Sequence, residues 1–261
     1  MKIIISPAKK MNIDADSLNY GEFPVFIDKT EEIMKWMQDL TFDEAKKLWA
    51  CNDKIAELNF GRFREMDLQK NLTPALLSYE GIQYQYMAPG VFTQAEWDYV
   101  QEHLRILSGF YGVLKPLDGV TPYRLEMQAK AKIGESKNLY DYWGNKLYEK
   151  VLDESRTILN LASKEYSKCV EKYLQPEDKF VTCIFGEWKK KAVPSADPAE
   201  ARKQIIQKGT QAKMARGEMV RFMAENGIEE LEEIKQFNRL GYEYKEELSN
   251  DREYVFVKTR K

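Results

Sequence analysis

The segment best suited to contact an anion lies between residues 105 and 126. Gly109 and Gly112 are three residues apart, a spacing that permits a tight turn whose backbone N–H groups converge on an anion. Arg105 and Arg124 flank these glycines with permanent positive charge. The combination predicts contact with a phosphate, although the G-x-x-x-x-G-K-[ST] pattern of a P-loop is missing. The alternative is a structural glycine turn, with Arg124 paired to a nearby carboxylate such as Glu126.

Ser6 and Lys9 form an S-x-x-K pattern directly after a strand-like apolar run. In penicillin-binding enzymes this spacing places a lysine amine beside a serine nucleophile. With 10 Ser and 29 Lys in 261 residues, about one such match is expected by chance, and the companion motifs of those enzymes are absent. A nucleophilic Ser6 is therefore disfavoured. A loop at the carboxyl end of a strand is nevertheless a common ligand position, where Lys9 would meet a phosphate.

Two further segments carry polar groups that fit the wall of a pocket. Lys213 and Arg216 are three residues apart in a helical pattern and fall on one face. Ser163, Lys164 and Glu165 follow a predicted strand. A solvated surface explains each segment alone, whereas their concentration in one part of the chain favours binding.

Short elements must position these residues. Hydrophobic spacing predicts helices over residues 28–40, 95–104, 139–152, 198–208 and 213–225, and strands over 2–5, 157–161, 180–185, 242–245 and 254–258. Capping boxes are formed by Thr41 with Glu44 and by Thr93 with Glu96, and each opens a helix. No repeat, linker or regular βαβ rhythm is visible. We therefore expect one α+β domain over residues 1–261, with a mixed sheet and surrounding helices.

Charge excludes one class of function. The chain has 40 Lys and Arg against 42 Asp and Glu, a formal net charge of −2, so bulk positive charge cannot attract nucleic acid or an anionic membrane. The charge is nevertheless segregated. Residues 1–101 carry −5, residues 102–222 carry +6 and residues 223–261 carry −3. A polyanion should meet the basic middle segment.

Histidine and cysteine usage excludes several metal sites. His103 is the single histidine of the sequence, and Cys51, Cys169 and Cys183 are far apart and form no CxxC pair. Zinc hydrolases and His-carboxylate iron sites need more imidazoles than this. The cysteines are typical of buried thiols in a reducing compartment. We expect a cytoplasmic protein with no metal, no cofactor and no membrane partner, since no apolar run is long enough to span a bilayer.

Several stretches are similar to one known family. They are Ile5–Lys9, Leu104–Asp118, Pro122–Met127, Leu139–Gly144, Asn160–Ser163 and Lys213–Gly217. In sequence and order they resemble the YaaA family of bacterial peroxide stress resistance proteins, over nearly the whole chain. The resemblance implies a family-specific α+β fold and a role in surviving hydrogen peroxide by limiting the damage caused by free iron.

The resemblance also implies DNA binding through a positively charged cleft and a helix-hairpin-helix element. That element would fall within residues 41–66, where Glu57 replaces the glycine that such a hairpin uses to approach phosphate.

Two functions follow as hypotheses. The first is a DNA binder without sequence specificity, with phosphates held by Lys9, Arg105, Arg124, Lys164, Lys213 and Arg216. The cleft would be lined by Ser6, Ser108, Gly109, Tyr111, Gly112, Tyr123, Glu126, Trp143, Ser163 and Glu165. Among these, Tyr111, Tyr123 and Trp143 would stack on bases. The second is an enzyme acting on a phosphate-bearing small molecule or nucleic acid in the same cleft, with Glu126 or Glu165 as general base. Direct sequestration of iron is disfavoured, because no E-x-x-H motif is present.

Overall fold

A computed structural model describes residues 1–14, 18–189 and 197–259. Its strands are β1 (Lys2–Ile5), β2 (Lys10–Met11), β3 (Thr73–Pro74), β4 (Tyr79–Glu80), β5 (Leu104–Ser108), β6 (Gly112–Leu114), β7 (Gly119–Val120), β8 (Thr157–Asn160), β9 (Lys179–Trp188), β10 (Ile205–Ile206), β11 (Tyr242–Tyr244) and β12 (Glu253–Lys258). Its helices are α1 (Ile27–Asp39), α2 (Phe42–Trp49), α3 (Asp53–Arg64), α4 (Ala75–Ser78), α5 (Ile82–Met87), α6 (Gln94–His103), α7 (Leu139–Trp143), α8 (Lys146–Val151), α9 (Lys164–Glu171), α10 (Pro198–Lys203) and α11 (Gly209–Asn226).

The main sheet has eight strands with a parallel centre. Its order is β11-β12-β9-β8-β1-β5-β6, and β10 pairs with β9. Strands β12, β9, β8, β1 and β5 run parallel, whereas β6, β10 and β11 are antiparallel to their neighbours. Helices surround this mixed sheet, which confirms the predicted α+β class of a single compact domain.

Strand β1 lies at the centre because its sequence is apolar on both faces. Ile3, Ile4 and Ile5 are 0% exposed, as expected for a parallel strand that is covered on both sides. The strand pairs with β5 on one side and with β8 on the other. The chain thus leaves β1 for β5 and later returns across it to β8. Such a reversal of strand order is a topological switch point, beside which open parallel sheets bind their ligands.

Local helix signals in the sequence are reproduced by the structure. The capping boxes of Thr41 with Glu44 and of Thr93 with Glu96 open α2 and α6 as predicted. The helix expected over residues 139–152 is wrong in its middle. Gly144 adopts a φ of +54°, which ends α7 and separates it from α8.

The helix expected over residues 198–208 is also shorter than predicted. It ends at Lys203, and Ile205 then pairs with Trp188 in the sheet. β-Branched isoleucines favour this extended pairing over continued helix.

Segment 41–66 forms the helix pair α2 and α3. The link between them is Ala50–Asn52, with Ala50 in the left-handed region at a φ of 46° and the side chain of Asn52 capping α3. Glu57 lies inside α3 and is exposed, so the expectation that it occupies a hairpin turn is wrong. The link contains no glycine, and Trp49 of α2 donates its indole N–H to the carbonyl oxygen of Arg124 at 2.5 Å.

Candidate functional site

A cleft of about 370 Å³ lies at the carboxyl ends of β1 and β8, beside the switch point of the sheet. Ser6 follows β1 and Ser163 follows β8. The Ser6 hydroxyl donates to the Ser163 hydroxyl at 3.1 Å and accepts from the backbone N–H of Ser163 at 2.8 Å. These two bonds join the ends of neighbouring strands and form the floor of the cleft. Tyr84 of α5 adds a third bond, donating its hydroxyl to the carbonyl oxygen of Ser6 at 3.0 Å.

The structure brings nine of the predicted site residues to this cleft. They are Ser6, Lys9, Tyr123, Arg124, Glu126, Ser163, Glu165, Lys213 and Arg216. Sequence reasoning did not single out three other polar and aromatic lining residues, namely Glu80, Gln83 and Tyr84. No local motif marks these residues. Gln83 and Tyr84 reach the cleft on α5, which packs against α11, and Glu80 reaches it through the pairing of β4 with β2.

Gly217 sets the distance between α11 and α5. A Cβ atom at this position would lie 2.0 Å from the carbonyl oxygen of Gln83, so only glycine permits the observed approach of the two helices. Lys213 and Arg216 precede it on α11, one helical turn apart, and both line the cleft. The close packing at Gly217 therefore positions the two cations.

Glu126 holds two of the lining cations. One oxygen of its carboxylate accepts from Lys9 at 3.0 Å and from Arg124 at 2.9 Å. The side chains of Arg124 and Glu126 are each 11% exposed, whereas that of Lys9 is 64% exposed. This triad carries a net charge of +1. Since burial reduces solvent screening, its field acts strongly within the cleft.

Arg216 and Lys213 are not neutralised in this way. Neither forms an ion pair with a carboxylate in the described parts of the chain, and the Nε atom of Arg216 is buried without a hydrogen-bond partner. Burial lowers the pKa of the Arg216 guanidinium. Arginine nevertheless keeps its positive charge in proteins, so Arg216 remains a cation. The neighbouring Cys183 does not compensate it, because burial raises the pKa of that thiol. A partly buried guanidinium without a counter-charge is costly, and an anionic ligand would reduce this cost.

Glu165 is a carboxyl group of the cleft with a raised pKa. Burial raises its pKa, and the nearby Glu126 carboxylate raises it further. The backbone N–H of Gln128, which donates to Glu165 at 3.3 Å, and the cations Lys9 and Lys168 act in the opposite direction. A carboxyl group with a raised pKa beside a second carboxylate and cations is an arrangement suited to proton transfer.

The glycine segment 108–112 is buried and does not line the cleft. Ser108, Gly109, Tyr111, Gly112 and Trp143 are buried, and Tyr111 and Trp143 are at most 1% exposed. The prediction that these two rings stack on bases is therefore wrong for this structure. Tyr123 is also buried at 4% exposure, although the edge of its side chain reaches the cleft.

Packing explains why glycines stand in this segment. A Cβ at Gly109 would lie 2.6 Å from the carbonyl oxygen of Leu125, so Gly109 lets the segment pack directly on the chain that carries Arg124 and Glu126. The Ser108 hydroxyl oxygen accepts hydrogen bonds from the backbone N–H groups of Phe110 and Tyr111. The same hydroxyl is hydrogen-bonded to the Tyr123 hydroxyl at 2.6 Å. The turn predicted to bind an anion instead packs against the segment that carries Arg124 and Glu126 and holds that segment in place.

Arg105 lies outside the cleft. It is 9% exposed and donates to the carbonyl oxygens of Gln101 at 3.1 Å and Leu104 at 2.7 Å. It stands near the amino end of β5, whereas the cleft lies at the carboxyl ends of the parallel strands. Its assignment as a phosphate contact is therefore corrected.

Lys164 also faces elsewhere. It pairs with Glu171 and lines a second, larger groove of about 1310 Å³. The residues lining this groove include five cations and seven carboxylates, a net of −2, whereas the cleft has five and three, a net of +2. Arg216 lines both cavities. The smaller cavity is thus the one that attracts anions.

Comparison with known proteins settles the family. The family model described as peroxide stress protein YaaA matches residues 1–248. This chain belongs to the YaaA family. It is 60% identical to a UPF0246 protein of Agathobacter rectalis over 98% of both chains. A UPF0246 protein of Desulfitobacterium hafniense is 54% identical over 99% of this chain and 98% of its own, and one of Lachnoclostridium phytofermentans is 53% identical over 99% and 96%.

The YaaA-type chain has no grouped metal ligands in the parts that the structure describes, where no three His, Cys, Asp or Glu side chains come together as a metal site. In the same parts, no helix combines the length and apolarity needed to cross a membrane. His103 bonds to the Met1 carbonyl oxygen at 2.9 Å and packs on Tyr99, a structural role.

Proposed function

We propose that this protein supports survival of hydrogen peroxide stress in the cytoplasm by binding DNA, without sequence specificity, in the cleft of Lys9, Arg124, Lys213 and Arg216. The observation that carries the DNA part is the unpaired, partly buried Arg216 beside the unpaired Lys213. The stress role rests on the family to which the chain belongs. Bound protein would limit the oxidative damage that free iron causes.

Phosphate recognition accounts for the lack of sequence specificity in this proposal. Contacts to phosphates carry no base information and depend strongly on salt, because each contact releases condensed counterions. The cleft offers cations from three separate elements, namely the segment after β1, the segment before residue 127, and α11.

Affinity for an oligonucleotide, measured by fluorescence anisotropy at several salt concentrations, tests the proposal. We expect Lys213→Ala and Arg216→Met to weaken binding and to reduce the slope of log K against log salt by about 0.7 to 0.9 for each lost contact. Lys150→Ala, on the exposed surface of α8, serves as the matched control and should leave the slope unchanged. Cleft variants that bind like the wild type, with the wild-type slope, would refute DNA binding at this site.

A second candidate function is catalysis on a phosphate-bearing substrate in the same cleft. The raised pKa of Glu165, beside Glu126 and Lys9, is the observation that favours it. Glu165 would exchange a proton with the substrate while Arg216 holds the phosphate.

Turnover of nucleotides or damaged DNA tests this candidate. Lys9→Ala should abolish turnover while the circular dichroism spectrum and melting temperature stay near those of the wild type, because Lys9 is largely exposed. A screen that finds neither turnover nor thermal stabilisation by any substrate would contradict the enzyme hypothesis.

A further inference from the structure

The volume of the cleft limits what can occupy it. A cavity of about 370 Å³ lies at the lower end of the range for small-molecule sites. A double helix, whose major groove is already about 12 Å wide, is too broad to enter such a cavity and can contact only the cations at its rim. Arg216 nevertheless lines the cavity and forms no ion pair in the described parts of the chain. A ligand that fits this volume can therefore present one phosphate to Arg216 together with one small group.

We propose that the cleft holds a single nucleotide, free or at an unpaired position of a DNA strand, with its phosphate on Arg216 and Lys213. This inference rests on the proposed phosphate-binding function and specifies its ligand.

Arg216 and Lys213 suit the phosphate end of a nucleotide. They are one turn apart on the same face of α11, which the packing of Gly217 against α5 holds in place. A guanidinium binds phosphate oxygens through two parallel N–H donors, and a lysine adds a point charge. Lys9 and Arg124 are already engaged by Glu126, so the phosphate finds its unused donors on α11.

The rest of the lining suits the sugar and base. Pro7, Ala8, Ile82 and Leu125 contribute apolar surface. Besides the cations, the cleft offers the hydroxyl groups of Ser6 and Ser163 and the carboxyl group of Glu165 as hydrogen-bonding groups. Together with the edges of the buried tyrosines, these groups match a ring system with a few hydrogen-bonding atoms better than a second phosphate.

Charge separates this cleft from the larger groove. The groove has a net charge of −2 among its lining residues and repels a phosphate, whereas the cleft attracts one with a net of +2. Since Arg216 lines both cavities, it marks the boundary between them.

Calorimetric titration with defined probes tests the inference. The probes are the four deoxynucleoside 5′-monophosphates, the matching deoxynucleosides and inorganic phosphate. We expect the monophosphates to bind at least tenfold more tightly than either of the other two classes. Arg216→Met should weaken monophosphate binding at least tenfold, Arg216→Lys should restore part of it, and Lys150→Ala should have no effect. Equal binding of inorganic phosphate and monophosphates would overturn the nucleotide assignment.

Two DNA probes distinguish a free nucleotide from one within a strand. A duplex with one unpaired nucleotide should bind more tightly than the fully paired duplex if the strand supplies the nucleotide, and monophosphate should compete with it. If both duplexes bind equally with a salt slope that Lys213→Ala reduces, while monophosphates do not bind, the inference fails and DNA binding stands. If monophosphates bind and neither duplex does, the DNA function fails and the inference stands for a free nucleotide.

Discussion

Glu165 shows how one residue of the cleft is tuned by several neighbours. Burial and the Glu126 carboxylate favour its neutral form, while Lys9, Lys168 and the Gln128 N–H favour the ionised form, and the net result is a raised pKa. Ionising Glu165 therefore costs more in the folded protein than in the unfolded chain. The ionised Glu165 therefore lowers the stability of the folded protein at neutral pH. Carboxyl groups with shifted pKa values of this kind are common in functional sites.

The pH dependence of stability reports this shift. In the unfolded chain a glutamate titrates near a pKa of about 4.3. Because the folded pKa is higher, the wild type loses stability as the pH rises from that value through the folded pKa. Glu165→Gln removes this loss, so its free energy of unfolding relative to the wild type should increase between pH 4 and pH 8. Urea unfolding at several pH values measures it, and a difference that stays constant with pH would contradict the raised pKa.

At the scale of elements, the contact of α11 with α5 determines whether the cations reach the cleft. Gly217→Ala forces the helices apart, because its Cβ would lie 2.0 Å from the Gln83 carbonyl oxygen. We expect a loss of about 1 to 3 kcal/mol in the free energy of unfolding, as for other overpacked contacts. Ligand binding by Lys213 and Arg216 should weaken as well.

Gly61 provides the matched control for this prediction. It lies in α3, and nothing is within 4 Å of a Cβ added there. Gly61→Ala should stabilise the protein by about 0.5 to 1 kcal/mol through helix propensity. Chemical denaturation of both variants measures the contrast. A Gly217→Ala variant as stable as Gly61→Ala would show that the helix contact is not tight.

Elements specified by local chemistry were predictable from the sequence. The strand Lys2–Ile5 and the capping boxes at Thr41 and Thr93 depend on adjacent residues and are confirmed. The break at Gly144 and the end of α10 at Lys203 depend on a backbone conformation and on sheet pairing, neither of which the hydrophobic spacing encodes.

The same distinction applies to the candidate site. The spacing of Gly109 and Gly112 fits a turn that faces a ligand and equally a turn that faces other backbone, and here the backbone of Leu125 occupies the place of the ligand. Likewise, Arg105 has the charge for phosphate contact, but its place near the amino end of β5 follows only from strand direction. Residue type was predictable, whereas the end of the sheet on which it falls was not.

At the scale of the molecule, the segregation of charge along the chain becomes a segregation between two cavities. The basic middle segment contributes Arg124, Lys213 and Arg216 to the cleft, and Lys9 joins them from the acidic amino-terminal segment. The acidic carboxyl-terminal segment contributes Glu232, Glu246, Asp251 and Glu253 to the larger groove. The near-zero net charge thus conceals two surfaces of opposite sign.

Survival of bacteria tests the function of the whole molecule. In a strain without its own family member, the wild-type gene should protect against hydrogen peroxide, and so should Lys150→Ala. A Lys213→Ala, Arg216→Met double variant expressed at the same level should protect less, because the cleft would no longer bind its anion. Colony counts after a peroxide challenge, with protein-free iron measured by EPR, check this. Full protection by the double variant would separate the stress role from the cleft.

The assembly of the cleft from residues far apart in the chain has a consequence for biosynthesis. The cleft joins residues from both halves of the chain, and Ser6 and Arg216 are 210 positions apart. At a synthesis rate of about 5 to 20 residues per second, the first part of the site waits about 10 to 40 seconds for the last. A nascent chain therefore has no completed cleft, and the capacity to hold an anion there belongs to the protein only once α11 has left the ribosome.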